Sequence, residues 1–448
     1  MSFDARKMSL DIPGDWSFTK ISDIAGINES SISSDDSFDY IRYIDISSVS
    51  SDKMETPKLM RLDDAPSRAK RIIKQGDIII STVRPNLKQF YLCNFEIDNH
   101  IVSTGFCVVS PKSSKYRWYL YSFLTSEIFT EYLIRVADGA AYPAFSYKEI
   151  RDAIIPLPSD EYLSFISSTS KSIFNKVHLN QQTNETLEAM AQAIFKSWFV
   201  DFDPVRAKLK ASEDGRDPNR AAIAAIAGVS LEQDWGGVEA ALNQKLDRMS
   251  DKQRQQLEKT AGLFPGTLEE SEIGEMPEGW GISKLEDYMT LSYGKGLRKK
   301  DREEGSVPVY GSGGLTGTHN ESLIDGPGII VGRKGTVGSI YWEDQDFWPI
   351  DTVFYVEPKN EIDLSFYYYL LNTLGLDDMN TDAAVPGLNR NNAYRLQIPD
   401  FPKELMIQFG DLTSDMQRVI KSNKTEKKTL EDLRDTLLPK LISGEILV

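Results

Sequence analysis

Basic side chains gathered beside glycine turns are the residues of this chain best placed to do chemistry. Arg68, Lys70, Arg71 and Lys74 precede Gly76, and Arg84-Pro85-Asn86-Leu87-Lys88 closes the apolar run after it. Lys295, Arg298, Lys299, Lys300 and Arg302 follow Gly294, and Arg333-Lys334-Gly335-Thr336 closes a second such run. A guanidinium offers a planar fork of donors, an ammonium a point charge, and Asn or Thr a short polar reach. At loop tips these types suit phosphate oxygens and base edges. Tyr142, Tyr310, Ser312, Asn389 and Arg390 join them as candidate contacts. The competing reading is ordinary solvated surface charge.

Catalytic constellations are harder to find. A phosphate-binding loop needs G-x-x-x-x-G-K-[ST], and Ser292-Tyr293-Gly294-Lys295-Gly296 puts Gly where the hydroxyl residue belongs. Gly311-Ser312-Gly313-Gly314-Leu315-Thr316-Gly317 misses the dinucleotide spacing and reads as a glycine turn. No Asn/Asp-Pro-Pro-aromatic motif of an amino-methyltransferase occurs. Asp351 with Glu357-Pro358-Lys359 loosely imitates a nuclease, but the matching Ser110-Pro111-Lys112 lacks the acid, so a strand exit is the better reading. Two cysteines (Cys93, Cys107) and three histidines (His100, His178, His319) exclude a disulfide framework and argue against a zinc site. We expect no catalytic residue, no metal and no cofactor on this chain.

Composition bounds the class. In 448 residues, 40% are apolar and 26% charged, as in a globular protein with more than one core. No apolar run approaches the roughly 20 residues of a membrane span. The opening MSFDARKMSLDIPGDW lacks the apolar stretch of a secretory signal. With the sparse cysteines, this points to the cytoplasm. The net charge of −16 argues by itself against a polyanion partner. By segment, however, residues 1–155 carry 19 basic and 21 acidic side chains, net −2. Local clustering therefore decides the matter.

The candidates sit in a chain that repeats itself. Ile12-Pro13-Gly14-Asp15-Trp16 returns as Met276-Pro277-Glu278-Gly279-Trp280. Gly76-Asp77-Ile78-Ile79-Ile80-Ser81-Thr82-Val83-Arg84 returns as Pro327-Gly328-Ile329-Ile330-Val331-Gly332-Arg333, the two arginines 249 apart. Asp138–Pro143 returns as Asp382–Pro386 with the prolines 243 apart, and Ile155-Pro156 returns as Ile398-Pro399 and Thr186-Leu187-Glu188 as Thr429-Leu430-Glu431 at the same offset of 243. A period this long marks a duplicated domain, not a solenoid. Each copy opens with short β-branched runs punctuated by Gly and Pro, then a helix over 161–200 or 404–438.

Those helices carry a spacing of seven. Ile166, Ile173, Asn180, Leu187 and Ile194 are matched at +243 by Phe409, Met416, Asn423, Leu430 and Leu437. Val177, Met190, Trp198, Leu412, Val419 and Leu433 take secondary positions. Sustained sevens argue for coiled-coil packing, and a matched Asn is a device for fixing register. The alternative is two amphipathic helices, each packed on its own domain. Residues 203–275 read as a connector, polar to Arg220 and helical over 221–228 and 231–260.

Taken in order, these motifs resemble the specificity subunit of type I restriction–modification systems, over essentially the whole chain. The strongest markers are Pro277-Glu278-Gly279-Trp280, Gly76–Ser81, Ile155-Pro156-Leu157-Pro158, Ala193–Phe202 and Leu437–Ile446. The resemblance implies an α+β fold of two tandem mixed α/β target-recognition domains. Two long helices forming an antiparallel coiled coil would join them as a pseudo-twofold internal repeat. The expected bounds are 1–158 and 276–402 for the recognition domains, 159–202 and 403–448 for the helices, and 203–275 for the connector. The implied function is non-catalytic. Each domain reads half of a split site in double-stranded DNA, while the helices set the gap and dock two modification subunits. The methyl donor would sit on those partners and ATP with Mg on the restriction subunits, with no membrane involved. The acidic balance implies that partners supply much of the phosphate neutralisation. The rival classes are a self-sufficient nuclease or methyltransferase and a DNA-free coiled-coil scaffold.

Overall fold

A computed structural model describes residues 2–7, 12–33, 36, 38–139, 142–379, 387–442 and 446. The repeated Asp382–Pro386 and part of the Leu437–Ile446 marker lie outside them. The chain forms two compact units, one of residues 1–181 with 424–448 and one of residues 182–423. The division falls inside the two long helices, so each unit owns part of both.

In the first unit, the strand Ile78–Ser81 lies between Phe106–Pro111 and Phe90–Leu92, with Ala25–Ile27 on the far side of Phe106–Pro111. A strand flanked on both edges and covered on both faces must be apolar throughout, and Ile78, Ile79, Ile80 and Ser81 are all buried. A second sheet orders Lys58–Arg61, Tyr40–Ile44, His100–Ser103 and Ala69–Ile72. Ser17–Lys20 pairs antiparallel with Ile154–Leu157. The helix Ser114–Leu124 packs Trp118 and Tyr121 against Phe174 of the first long helix, Asp160–Phe199.

The second unit uses the same order. Gly328–Gly332 lies between Val353–Pro358 and Ile340–Glu343, with Met289–Tyr293 beyond Val353–Pro358. Gly281–Lys284 pairs with Gln397–Asp400. The other sheet has three strands, Gly314–His319, Val307–Gly311 and Trp348–Pro349. Phe366 and Tyr369 of the helix Leu364–Thr373 cluster with Phe195 and with Phe409 of the second long helix, Lys403–Ile442.

A buried hydroxyl pair joins the short helix to the long one in each unit. Ser122 and Ser170 share a 2.8 Å hydrogen bond, as do Ser365 and Thr413. Trp16 and Trp280, the tryptophans of the repeated motif, are both buried, against Tyr162 and against Phe202 and Phe401 respectively.

Of the sevens, Ile166, Ile173, Asn180 and Phe409 are buried, and Leu187, Ile194, Met416, Asn423, Leu430 and Leu437 are half-buried. Val177 and Trp198 are buried, but Met190, Leu412, Val419 and Leu433 face solvent. Within the second unit, Asn423 Nδ2 donates to Asn184 Oδ1 at 2.8 Å. Within the first, Asn180 Nδ2 donates to Glu426 Oε2 at 2.8 Å, and Lys176 pairs with the same carboxylate.

The connector is more ordered than its polarity suggests. Asp203–Glu213, in the polar stretch of the expected helical connector, is itself helical, followed by the helices Pro218–Ile226, Trp235–Asp247 and Asp251–Gly262. Pro204 in the first turn gives up no internal hydrogen bond there, which is why that helix can start. Leu268–Ser271 and Gly274–Pro277 then form a hairpin.

Candidate nucleic-acid interface

The basic clusters fall into two kinds once their partners are placed. Some are neutralised by the protein. Arg68 pairs with Asp45 at 2.6 Å and donates to the Tyr43 hydroxyl, and both contacts hold its guanidinium above its ordinary pKa. Arg298 is tied to Asp301 at 2.5 Å, and Lys88 to Glu127 at 2.5 Å. Exposed pairs of this sort contribute little to stability, but they lower the charge presented outward. Lys70 and Lys299 are exposed, and Arg71 has a buried Nε without a hydrogen-bond partner.

The other kind converges on aromatic rings. In the first unit the chain leaves Ile78–Ser81 and places Arg84 in the left-handed region at φ 50°. Its backbone N–H donates to the Pro143 carbonyl at 2.7 Å, and its guanidinium lies 4.2 Å from the centroid of the Tyr142 ring. Tyr142 is 68% exposed, and Asn86, two residues after Arg84, is exposed as well. In the second unit the chain leaves Gly328–Gly332 at Arg333, whose carbonyl accepts from the Leu388 N–H at 2.8 Å. The arginine thus meets the same loop in both units, through Val83 bridging Ala144 and Lys334 bridging Gly387. Arg333 and Arg390 each place a guanidinium 4.8 Å from the centroid of the Tyr293 ring.

Several candidates hold this loop instead of facing outward. Ser312 is buried. Its Oγ donates to the Thr352 carbonyl and accepts from the N–H groups of Arg333 and Lys334, both at 3.2 Å. Tyr310 donates to Glu343 at 2.8 Å, and burial followed by that carboxylate pushes its hydroxyl pKa up, so it stays a neutral donor. Asn389 caps the short helix Arg390–Tyr394 by accepting from the Asn391 N–H. Lys295 is exposed, with its ammonium 5.7 Å from the Trp348 ring centroid, and Lys334 and Thr336 are exposed beside Arg333.

Sequence reasoning missed Tyr293. The available signal was an aromatic abutting Gly294-Lys295, at the end of Met289–Tyr293, which Val353–Pro358 separates from the strand that leads to Arg333.

The chemistry these sites can do is binding. No group of three metal-ligating side chains occurs among the described residues. Both cysteines are buried, and burial pushes the Cys107 thiol up to about 12, so it is not a nucleophile. No helix among the described residues is long and apolar enough to cross a membrane.

Residues 13–189 and 277–396 match the family model described as "Type I restriction modification DNA specificity domain". The chain belongs to that family, one of specificity components and not of catalytic ones. It is 28% identical over 436 residues to the type I restriction enzyme HindI specificity subunit of Haemophilus influenzae, covering 90% of this chain and 94% of that one. It is 21% identical over 368 residues to the MjaIX specificity subunit of Methanocaldococcus jannaschii, covering 77% and 72%. The solved S subunit of a type I restriction–modification system from M. genitalium aligns over 97% of this chain and 99% of that one, at 15% identity and a TM-score of 0.45.

Proposed function

We propose that this chain is the DNA-reading subunit of a type I restriction–modification complex, each unit addressing one half of a split site in double-stranded DNA. One observation carries the reading. Two units that share the order of one four-stranded sheet each place an arginine at the same strand exit, stacked on an exposed tyrosine. The duplication inferred from sequence is supported by that shared order and by the two hydroxyl pairs, whose members are both offset by 243. Residues 1–158 and 276–402 are the proposed readers, each completed by long-helix segments that fall within its own unit.

The long helices are the proposed spacer and dock for two modification subunits. Mutual antiparallel packing is supported inside the second unit. Asn184 meets Asn423 while Phe195 meets Phe409, so numbers rise on one helix as they fall on the other. The chain itself holds no cofactor in this proposal. The methyl donor and ATP with Mg belong to the modification and restriction subunits, and the complex works in the cytoplasm where its DNA is.

The test is methylation-sensitive sequencing of DNA from cells expressing the complete system. A split methylated motif is expected. Replacing residues 277–398 by the corresponding domain of a relative should rewrite one half only. A change in both halves, or an unchanged motif, would overturn independent reading by the two units.

A further inference from the structure

Tyr293 is 48% exposed, and two guanidiniums lie over its ring. Arg333 also lies 5.8 Å from the centroid of Phe354, whose ring packs 5.0 Å from that of Tyr293. Two cations each within 5 Å of one point repel one another, and a protein would ordinarily set a carboxylate between them. Among the described residues neither Arg333 nor Arg390 has an ion-pair partner, in a chain of net charge −16 that supplies Asp45 to Arg68 and Asp301 to Arg298. Arg390 adds a buried Nε with no hydrogen-bond partner. The site therefore suits an electron-rich group from outside.

The kind of group follows from how tightly Arg333 is oriented. Its backbone N–H donates to Ser312 Oγ, and one end of its fork, Nη1, donates to the Asp351 carbonyl at 3.0 Å. The ring contact restrains the guanidinium plane, and donors remain along the other edge. A phosphate asks only for charge, which lysine satisfies as well. A guanine edge asks for two coplanar donors aimed at O6 and N7. Fixing the plane is what separates the two.

The first unit reaches the same arrangement by another route. Arg84 occupies the matching strand exit, but its ring, Tyr142, comes from the loop ahead of the short helix Tyr147–Arg151 and not from a strand of the same sheet. The stack recurs although the aromatic is supplied by a different segment, so the ring is tied to the arginine's task and not to one place in the fold.

We infer that Tyr293 is a positioning residue that holds Arg333, with Arg390 beside it, to read a guanine in the half-site addressed by the second unit. This rests on the DNA-reading function proposed above. The experiment uses the complex of the full chain with its modification subunits. Binding is measured on duplexes carrying the methylated motif, with each guanine of the relevant half-site replaced in turn.

The unaltered complex should prefer one guanine by about five- to 150-fold. Arg333→Ala and Arg333→Lys should both lose that preference, and Tyr293→Leu should lose most of it, with binding to unrelated duplex unchanged. Tyr293→Phe keeps the ring and should restore it. Melting temperatures equal to the unaltered complex confirm folding of each variant. Retained preference in Arg333→Lys or Tyr293→Leu, or equal weakening on every duplex, overturns the inference while leaving DNA reading intact. No sequence preference in the unaltered complex would instead overturn the function itself, and the inference with it.

Discussion

Arg434 on the second long helix donates from Nη1 to the Asp52 carboxylate at 2.5 Å, across 382 residues of chain. Asp52 sits at φ 54° between the short strands Val49–Ser50 and Lys53–Met54, and it is buried. With Arg434, Glu431 and Tyr121 it lines a cavity of about 20 Å³. Burial raises its pKa to about 6, and the guanidinium opposes that rise.

Removing the guanidinium leaves a buried carboxylate without its counter-ion, so Arg434→Ala should destabilise the first unit by about 3–5 kcal/mol near neutral pH. The sign of the pH effect follows from the raised pKa. Between 3.8 and about 6 the folded state holds a proton that the unfolded state has released, so this group's contribution falls as pH rises through that window. Without Arg434 the folded pKa climbs further and the window extends upward. Urea denaturation should show a larger loss for the variant at pH 8 than at pH 5. An equal loss at both would show that Asp52 is not the group left unpaired.

The Arg333 loop depends on Gly338. Its N–H donates to the Gly332 carbonyl at 2.9 Å, and the Gly332 N–H donates to the Ser339 carbonyl at 2.7 Å. Gly338 has φ +72°, and a Cβ there would stand 2.2 Å from the Asp377 nitrogen. Gly338→Ala should cost roughly 1–3 kcal/mol through left-handed strain and backbone displacement. Gly335, also at positive φ but with nothing within 4 Å of a Cβ, should tolerate Ala better. Denaturation midpoints of the two variants make the comparison, and equal losses would mean that the close approach at Gly338 is not felt.

The spacer role is testable by length. Seven residues inserted into one helix alone would misplace Asn423 against Asn184 and Asn180 against Glu426, so stability should fall. Paired seven-residue insertions near Asn184 and Lys427 should keep the seam and add about 10 Å at 1.5 Å per residue. That length matches about three base pairs, which also turn the duplex by roughly 100°. Affinity should drop, or the unread gap should settle near three base pairs longer. A folded, active complex that still methylates the original gap would remove the helices as spacers.

The elements were legible wherever burial imposed a period. The fully apolar run at Ile78–Ile80 and the sevens from Ile166 and Phe409 mark surfaces that must be covered, and the long helices begin and end within a few residues of their expected bounds. Exposure of Leu412, Val419 and Leu433 was not legible, because an apolar residue on a helix does not state which neighbour reaches it. Within the helical connector the burial of Lys208 was not legible, since a lysine reads as polar surface and yet this one is buried with its ammonium on the Phe264 carbonyl. At the interface, arginines at matching strand exits could be read from the repeat. The pairing of Tyr293 with them could not, because its partners stand 40 and 97 residues further along and meet it only through the fold.

The nested division of the chain has a consequence for biosynthesis. Residues 182–423 form the second unit without interruption, whereas the first unit waits for residues 424–448. On the ribosome the later-encoded unit can therefore close first. Asp52 emerges 382 residues before the guanidinium that neutralises it, an interval of roughly 20–80 s at about 5–20 residues per second. A chain that stops short in its last helix would damage the half of the molecule that was made earliest.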